Sequence, residues 1–147
     1  MNNIKKFDER QLWIRGNIFK HMFFTMGALV MLNAFLASLD IIWADGFYMN
    51  LLIFFAAIAA GSVEMIFRDV YITRPMQQRI IMAVMLLIGL FIFVVHIWQL
   101  FYGEPILVSG VLTDNGGSLI MSVLVLAIGV SLAVKLLRDK FKKDREF

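Results

Sequence analysis

The chain contains no cysteine, which excludes disulfides, thiol redox chemistry, thiolate metal sites and S-acylation. Histidine occurs twice, as His21 and His96, with no pair at metal-ligand spacing. Gly-x-Ser-x-Gly, Walker A and Gly-x-Gly-x-x-Gly patterns are missing. Without a convergent set of catalytic groups, the chain reads as a non-enzyme, and no cofactor or metal is expected. Two of its connecting loops also lack any Lys or Arg, and that absence decides the topology.

What the chain has is apolar surface. Of 147 residues, 61% are hydrophobic, well above the share in an ordinary soluble domain. A helix that crosses a membrane needs about 20 mostly apolar residues. Four segments meet this, at about 22–43, 48–67, 80–101 and 118–137, which leaves room for one domain only, 1–147. All fourteen cations fall on one side of these segments. Lys5, Lys6, Arg10, Arg15 and Lys20 precede the first; Arg68, Arg74 and Arg79 lie between the second and third. Lys135, Arg138, Lys140, Lys142, Lys143 and Arg145 surround the end of the fourth. The other two connections carry only Asp40, Asp45, Glu104 and Asp114. Short Lys/Arg-rich loops stay cytoplasmic, so the expected arrangement is four spans in the cell membrane with both termini inside. The net charge of +3 then serves contact with anionic headgroups of the lipid bilayer rather than nucleic acid, for which no binding motif exists. The first apolar segment is too long for a signal-peptide core and is expected to remain as an anchor, and the C-terminal residues match no lipidation signal.

The predicted fold class is all-α, an integral membrane four-helix bundle with an N-terminal amphipathic interfacial helix over 3–21. Asp8 is placed to cap that helix, with Gln11 completing a capping box. Ile4, Phe7, Ile14 and Ile18 recur on one face, Trp13 suits headgroup depth, and Gly16 allows a bend before the first span. The plain reading is a lead-in along the membrane surface; the sharper one is a docking surface for a protein partner. In the second span Ala56/Ala60 and Ala57/Gly61 repeat at spacing four, a pattern that lets helix backbones approach. This predicts a central helix crossed closely by another. Ala127, Gly129, Ser131 and Ala133 give the fourth span a similar narrow side. These faces serve packing within the chain, or alternatively a homo-oligomer seam. The loop 103–117 has an apolar, β-branched middle; it lies along the outer surface, dips inward or forms a small hairpin, and the sequence does not choose among these.

Polar residues at membrane depth are few and each needs a partner. Asn33 sits mid-span in the first segment. His96 and Gln99 lie one turn apart toward the outer end of the third, with Asp40 at a comparable depth. Ordinary interhelical hydrogen bonds are the plain reading; a transport site around Asn33, His96 and Gln99 is the functional one. Glu64, near the inner end of the second span, stands in the favoured order for an ion pair with Arg68. The outer acids invite a divalent cation, but their spacing matches no binding loop and solvated surface acids are the commoner case.

Phe7-Asp8-Glu9-Arg10-Gln11, followed by Arg15-Gly-Asn-Ile-Phe-Lys20 and an apolar span, resembles a group of uncharacterised small bacterial four-span membrane proteins with a near-N-terminal Asp-Glu-Arg-Gln box. A second echo is Glu64-Met-Ile-Phe-Arg68-Asp69-Val70-Tyr71. The resemblance implies no established activity. Its members are similar to proteins often encoded beside small helix-turn-helix regulators, which implies a regulatory role. Because both motifs share the cationic side, Asp8, Glu9, Arg10 and Gln11 are expected to pack near Arg68, Asp69 and Tyr71, with Glu9–Arg68 or Arg10–Asp69 ion pairs. The leading expectation is a membrane interaction or regulatory subunit that uses this surface to bind a membrane or cytoplasmic protein partner.

Overall fold

A computed structural model describes residues 7–44, 46–72, 75–103 and 105–143. Residues 3–6 of the expected interfacial helix lie outside them, as do Lys5, Lys6, Asp45, Arg74, Glu104 and Arg145 of the charge pattern. Four helices account for most of the fold: α1 (Glu9–Ser38), α2 (Gly46–Phe67), α3 (Pro75–Phe101) and α4 (Asp114–Lys143). Each is long and apolar enough to cross a membrane. Among the described residues, the one departure from helices and their links is a hairpin, β1 (Leu107–Val108) and β2 (Val111–Leu112). Its turn residues Ser109 and Gly110 both have positive φ, 51° and 82°, as a type I′ turn requires. Of the alternatives for the loop 103–117, its described residues take the hairpin.

The expected division of the N-terminal region into a surface helix and a span is not what forms. Helix α1 runs unbroken from Glu9 to Ser38, and Gly16 lies within it at no positive φ. Nor is the predicted apolar face of 3–21 free for lipid. Ile18 is 1% exposed and, with Ile14, packs against Met65, Val70 and Tyr71. Burial against α2 and the link that follows it holds the helix straight through. At 1.5 Å per residue a 30-residue helix is about 45 Å long, some 15 Å more than the hydrocarbon core. Helix α4 has the same length.

The first span also ends earlier than expected, at Ser38 rather than Trp43. The cause is a Schellman motif: Ile41 N donates to Leu36 O at 3.0 Å and Asp40 N to Ala37 O at 3.1 Å, with Asp40 at φ 56°. Helix α2 ends the same way. Val70 N donates to Met65 O at 3.0 Å, Asp69 N to Ile66 O at 3.3 Å, and Asp69 has φ 61°. Val70 and Met65 make the apolar contact that accompanies the motif. Aspartate tolerates this left-handed conformation less well than glycine. Asp40 makes no side-chain hydrogen bond or ion pair among the described residues, so Asp40→Gly is expected to stabilise the protein by about 0.5–1 kcal/mol. Thermal unfolding in mild detergent reads this directly; a lower midpoint would show that the side chain has a role of its own.

The helices pack in the spatial order α1–α2–α4–α3, so α2 and α4 form the inner pair. The small residues of α2 explain its central place: Ala57, Ala59, Gly61 and Ser62 are all buried, and Gly61 meets the Met22 side chain of α1. Between α3 and α4 the close approaches are Gly89 against Leu126 and Gly129 against Leu86. The narrow side of α4 thus serves packing within the chain at Gly129, while Ala127 on it stays exposed. Ala59, Ile66, Ile128 and Leu132 form the main core.

The two ends of the bundle differ in kind. At one, the α1–α2 and α3–α4 connections are tied together: Leu112 N donates to Trp43 O at 2.9 Å, and Ala44 bridges Leu112. Ala44, Leu52 and Leu112 are buried there as a small cluster. The beginning of α1, the link 68–72 and the end of α4 meet at the other. Every described Lys and Arg lies in the first half of α1, the link 68–72, the first turns of α3 or the last turns of α4.

Candidate functional site

The cation-rich end is assembled from three parts of the sequence. The first is the start of α1. Asp8 Oδ1 accepts from Gln11 N at 2.7 Å, and Gln11 Oε1 accepts from Asp8 N at 3.2 Å, completing the capping box that the sequence predicts. The Gln11 amide also donates to the Asp69 carbonyl at 3.4 Å, which joins the box to the second part, the α2–α3 link. Arg15 lies over the Phe7 ring at 4.3 Å and braces the chain entering the helix.

In the link, Glu64 accepts from Arg68 Nε at 2.8 Å, as its one-turn spacing predicts. His21 Nδ1 lies 3.6 Å from the other carboxylate oxygen. Tyr71 is wedged between the main core and the Ile18–Met65–Val70 cluster, and burial raises its phenol above the usual range, so it is neutral at physiological pH. The third part is α4, whose Lys135 pairs with Asp69. Lys135 is 6% exposed although it is charged, and Asp69 is its ion-pair partner.

The two sequence motifs do meet, but not through the ion pairs expected. Neither Glu9–Arg68 nor Arg10–Asp69 forms among the described residues, and Glu9 and Arg10 point to the surface. Arg68 is held by the closer Glu64, and Asp69 is held by Lys135 from the far end of the chain. In the sequence Lys135 is only one of a charged run. No local spacing could reveal it, because its partner is fixed by how α4 packs on α2.

Asn33, His96 and Gln99 fall into two separate sets. Asn33 accepts from the Trp43 indole at 2.8 Å, at the edge of an apolar cleft of about 280 Å³ lined by Leu29, Leu36, Leu52 and Ile120. His96 Nδ1 lies within hydrogen-bond distance of Gln99 Oε1, at 2.6 Å, and of Asn115 Oδ1, at 2.8 Å. Asn115, from α4, is the buried partner that sequence reasoning missed. Its position in a loop-like Asn-Gly-Gly stretch concealed it. Asp40 does not join His96 and Gln99. Of the acids in the two cation-free connections, Asp45 and Glu104 lie outside the described residues, and among those described no three His, Asp or Glu groups converge as a metal site would need.

No family model matches the chain, and neither the curated proteins nor the solved structures include a significant match. The resemblance to small bacterial membrane proteins therefore rests on its two short motifs.

Proposed function

We propose that the chain is a multi-pass membrane protein of the bacterial cell membrane, with both termini in the cytoplasm, acting as a non-enzymatic interaction or regulatory subunit. The observation that carries this is the joining of the α1 cap, the α2–α3 link and the end of α4 into one polar surface at the cation-rich end. Under this reading α1 and α4 project beyond the hydrocarbon on the inner side, and their exposed residues Glu9, Arg10 and Trp13 face a protein partner. Trp13 is 70% exposed, an aromatic of the kind that anchors interfaces.

The alternative is a small transporter or channel component working through Asn33, His96 and Gln99. It draws less support, because Asn33 and the His96–Gln99 pair bond to different partners and the cleft at Asn33 is apolar. An ion or polar solute needs a wet, polar-lined route.

A photo-crosslinking residue placed at Arg10 or Trp13 in living cells is expected to capture a discrete protein partner, whereas one placed at Phe101 is not. Mild-detergent affinity purification with mass spectrometry would identify the captured species. Recovery of the polypeptide alone from both sites would count against a subunit role. Reporter fusions at each end test the orientation separately; an exported terminus would overturn it.

A further inference from the structure

We infer that the recess between the end of α2 and the last turns of α4 binds the phosphate of an anionic phospholipid headgroup. The inference rests on the membrane reading above but needs no protein partner. Lys135, Arg138, Asp139 and Lys142 share one face of α4, since steps of three, four and seven residues return to the same side of a helix. With Phe67 and Asp69 they enclose about 50 Å³, room for the oxygens of a small anion.

The charges in this recess are not balanced. Asp69 is engaged by Lys135. Arg138 and Lys142 form no ion pair among the described residues, and one carboxylate, Asp139, remains beside them. A net positive recess with a guanidinium suits phosphate, which the planar fork of arginine can grip through two oxygens. Lys135 adds a cation that packing has already fixed, so less ordering is required on binding.

Its place in the fold selects a lipid over a free anion. Phe67 is the last residue of the apolar helix α2 and is 46% exposed at the recess wall. Just beyond it the chain turns polar. An anion held there sits at the boundary between apolar span and charged helix end, where headgroup phosphates lie and where basic residues meet anionic lipid. Phe67 then lies against the glycerol and first methylenes of the same molecule.

The test uses the full chain in mild detergent, with phosphatidylglycerol or phosphatidylcholine added and bound lipid counted by native mass spectrometry. Phosphatidylglycerol should bind saturably and phosphatidylcholine about tenfold more weakly. The double variant Arg138→Gln/Lys142→Gln should lose about tenfold to thirtyfold in phosphatidylglycerol affinity. Lys140→Gln, on the opposite side of α4, should bind like the parent. Equal losses in both variants would mean a diffuse field and overturn the site, as would no loss in the double variant. If inorganic phosphate alone binds as tightly and displaces the lipid, the recess belongs to a soluble phosphate and the lipid assignment fails. A chain that does not float with vesicles sinks the membrane reading and this inference together; one that floats but shows no preference for phosphatidylglycerol sinks this inference alone.

Discussion

Gly116→Ala should destabilise the protein by about 2 kcal/mol, after allowing for the roughly 1 kcal/mol that alanine gains over glycine in a helix. A Cβ there would lie 2.5 Å from the Ile106 carbonyl oxygen and 2.7 Å from Leu112 Cδ1. That carbonyl cannot retreat freely. It accepts from Thr113 N at 3.0 Å; Thr113 Oγ1, whose single hydrogen is shared between the Pro105 and Ile106 carbonyls at 2.7 and 3.0 Å, in turn accepts from Gly116 N at 3.2 Å as the cap of α4. Pushing it away costs the hairpin and the cap together. Gly61→Ala is the informative comparison. Its Cβ would meet Met22 even more closely, but the atoms met belong to an unbranched, adaptable side chain. We therefore expect Gly61→Ala to cost less than about 1 kcal/mol. Thermal unfolding of both variants in one detergent gives the ranking. The reverse order would show that neighbour rigidity does not govern these contacts.

The second large effect concerns Asp69 and Lys135. Asp69→Asn keeps a residue that accepts the left-handed conformation but removes the charge facing a nearly buried ammonium. The expected loss is about 2 kcal/mol, less than for a fully buried pair because the Asp69 side chain is 71% exposed. Lys135→Met removes the buried charge itself and keeps its length, so it should fall within about 1 kcal/mol of the parent. In the Lys135→Met background, Asp69→Asn should then cost little. This double-mutant cycle separates the pair from the backbone role of Asp69. If Asp69→Asn costs the same in both backgrounds, the ion pair is irrelevant to stability and the turn conformation alone matters.

What could be read in the chain was whatever depends on near neighbours. Apolar run lengths predict four long helices, and four form. The Asp8–Gln11 capping box and the Glu64–Arg68 pair each follow from spacings within one turn, and both are present. The alanine–glycine face of α2 predicts its central position. The failures have a common origin in contacts distant along the chain or in unfavoured backbone conformations. Nothing near Asp69 points to Lys135, nor near His96 to Asn115. The end of α1 at Ser38 depends on Asp40 entering a conformation that aspartate enters reluctantly. The continuity of α1 through Gly16 depends on Ile18 finding Met65 and Val70, which turns a face suited to a membrane surface into one that packs within the protein.

The tie between Trp43 and Leu112 has a consequence for biosynthesis. One strand of that knot emerges early from the ribosome and the other only after the third helix is complete. The connection of the early pair is therefore held at first by its own Schellman motif and the Asn33–Trp43 bond, and gains this tie only when the later pair is made. A nascent chain halted before Leu112 would have the packed contacts of the first pair but not this tie at its end. The tie thus closes only after the third helix has been made, and chains cut short before Leu112 lack it.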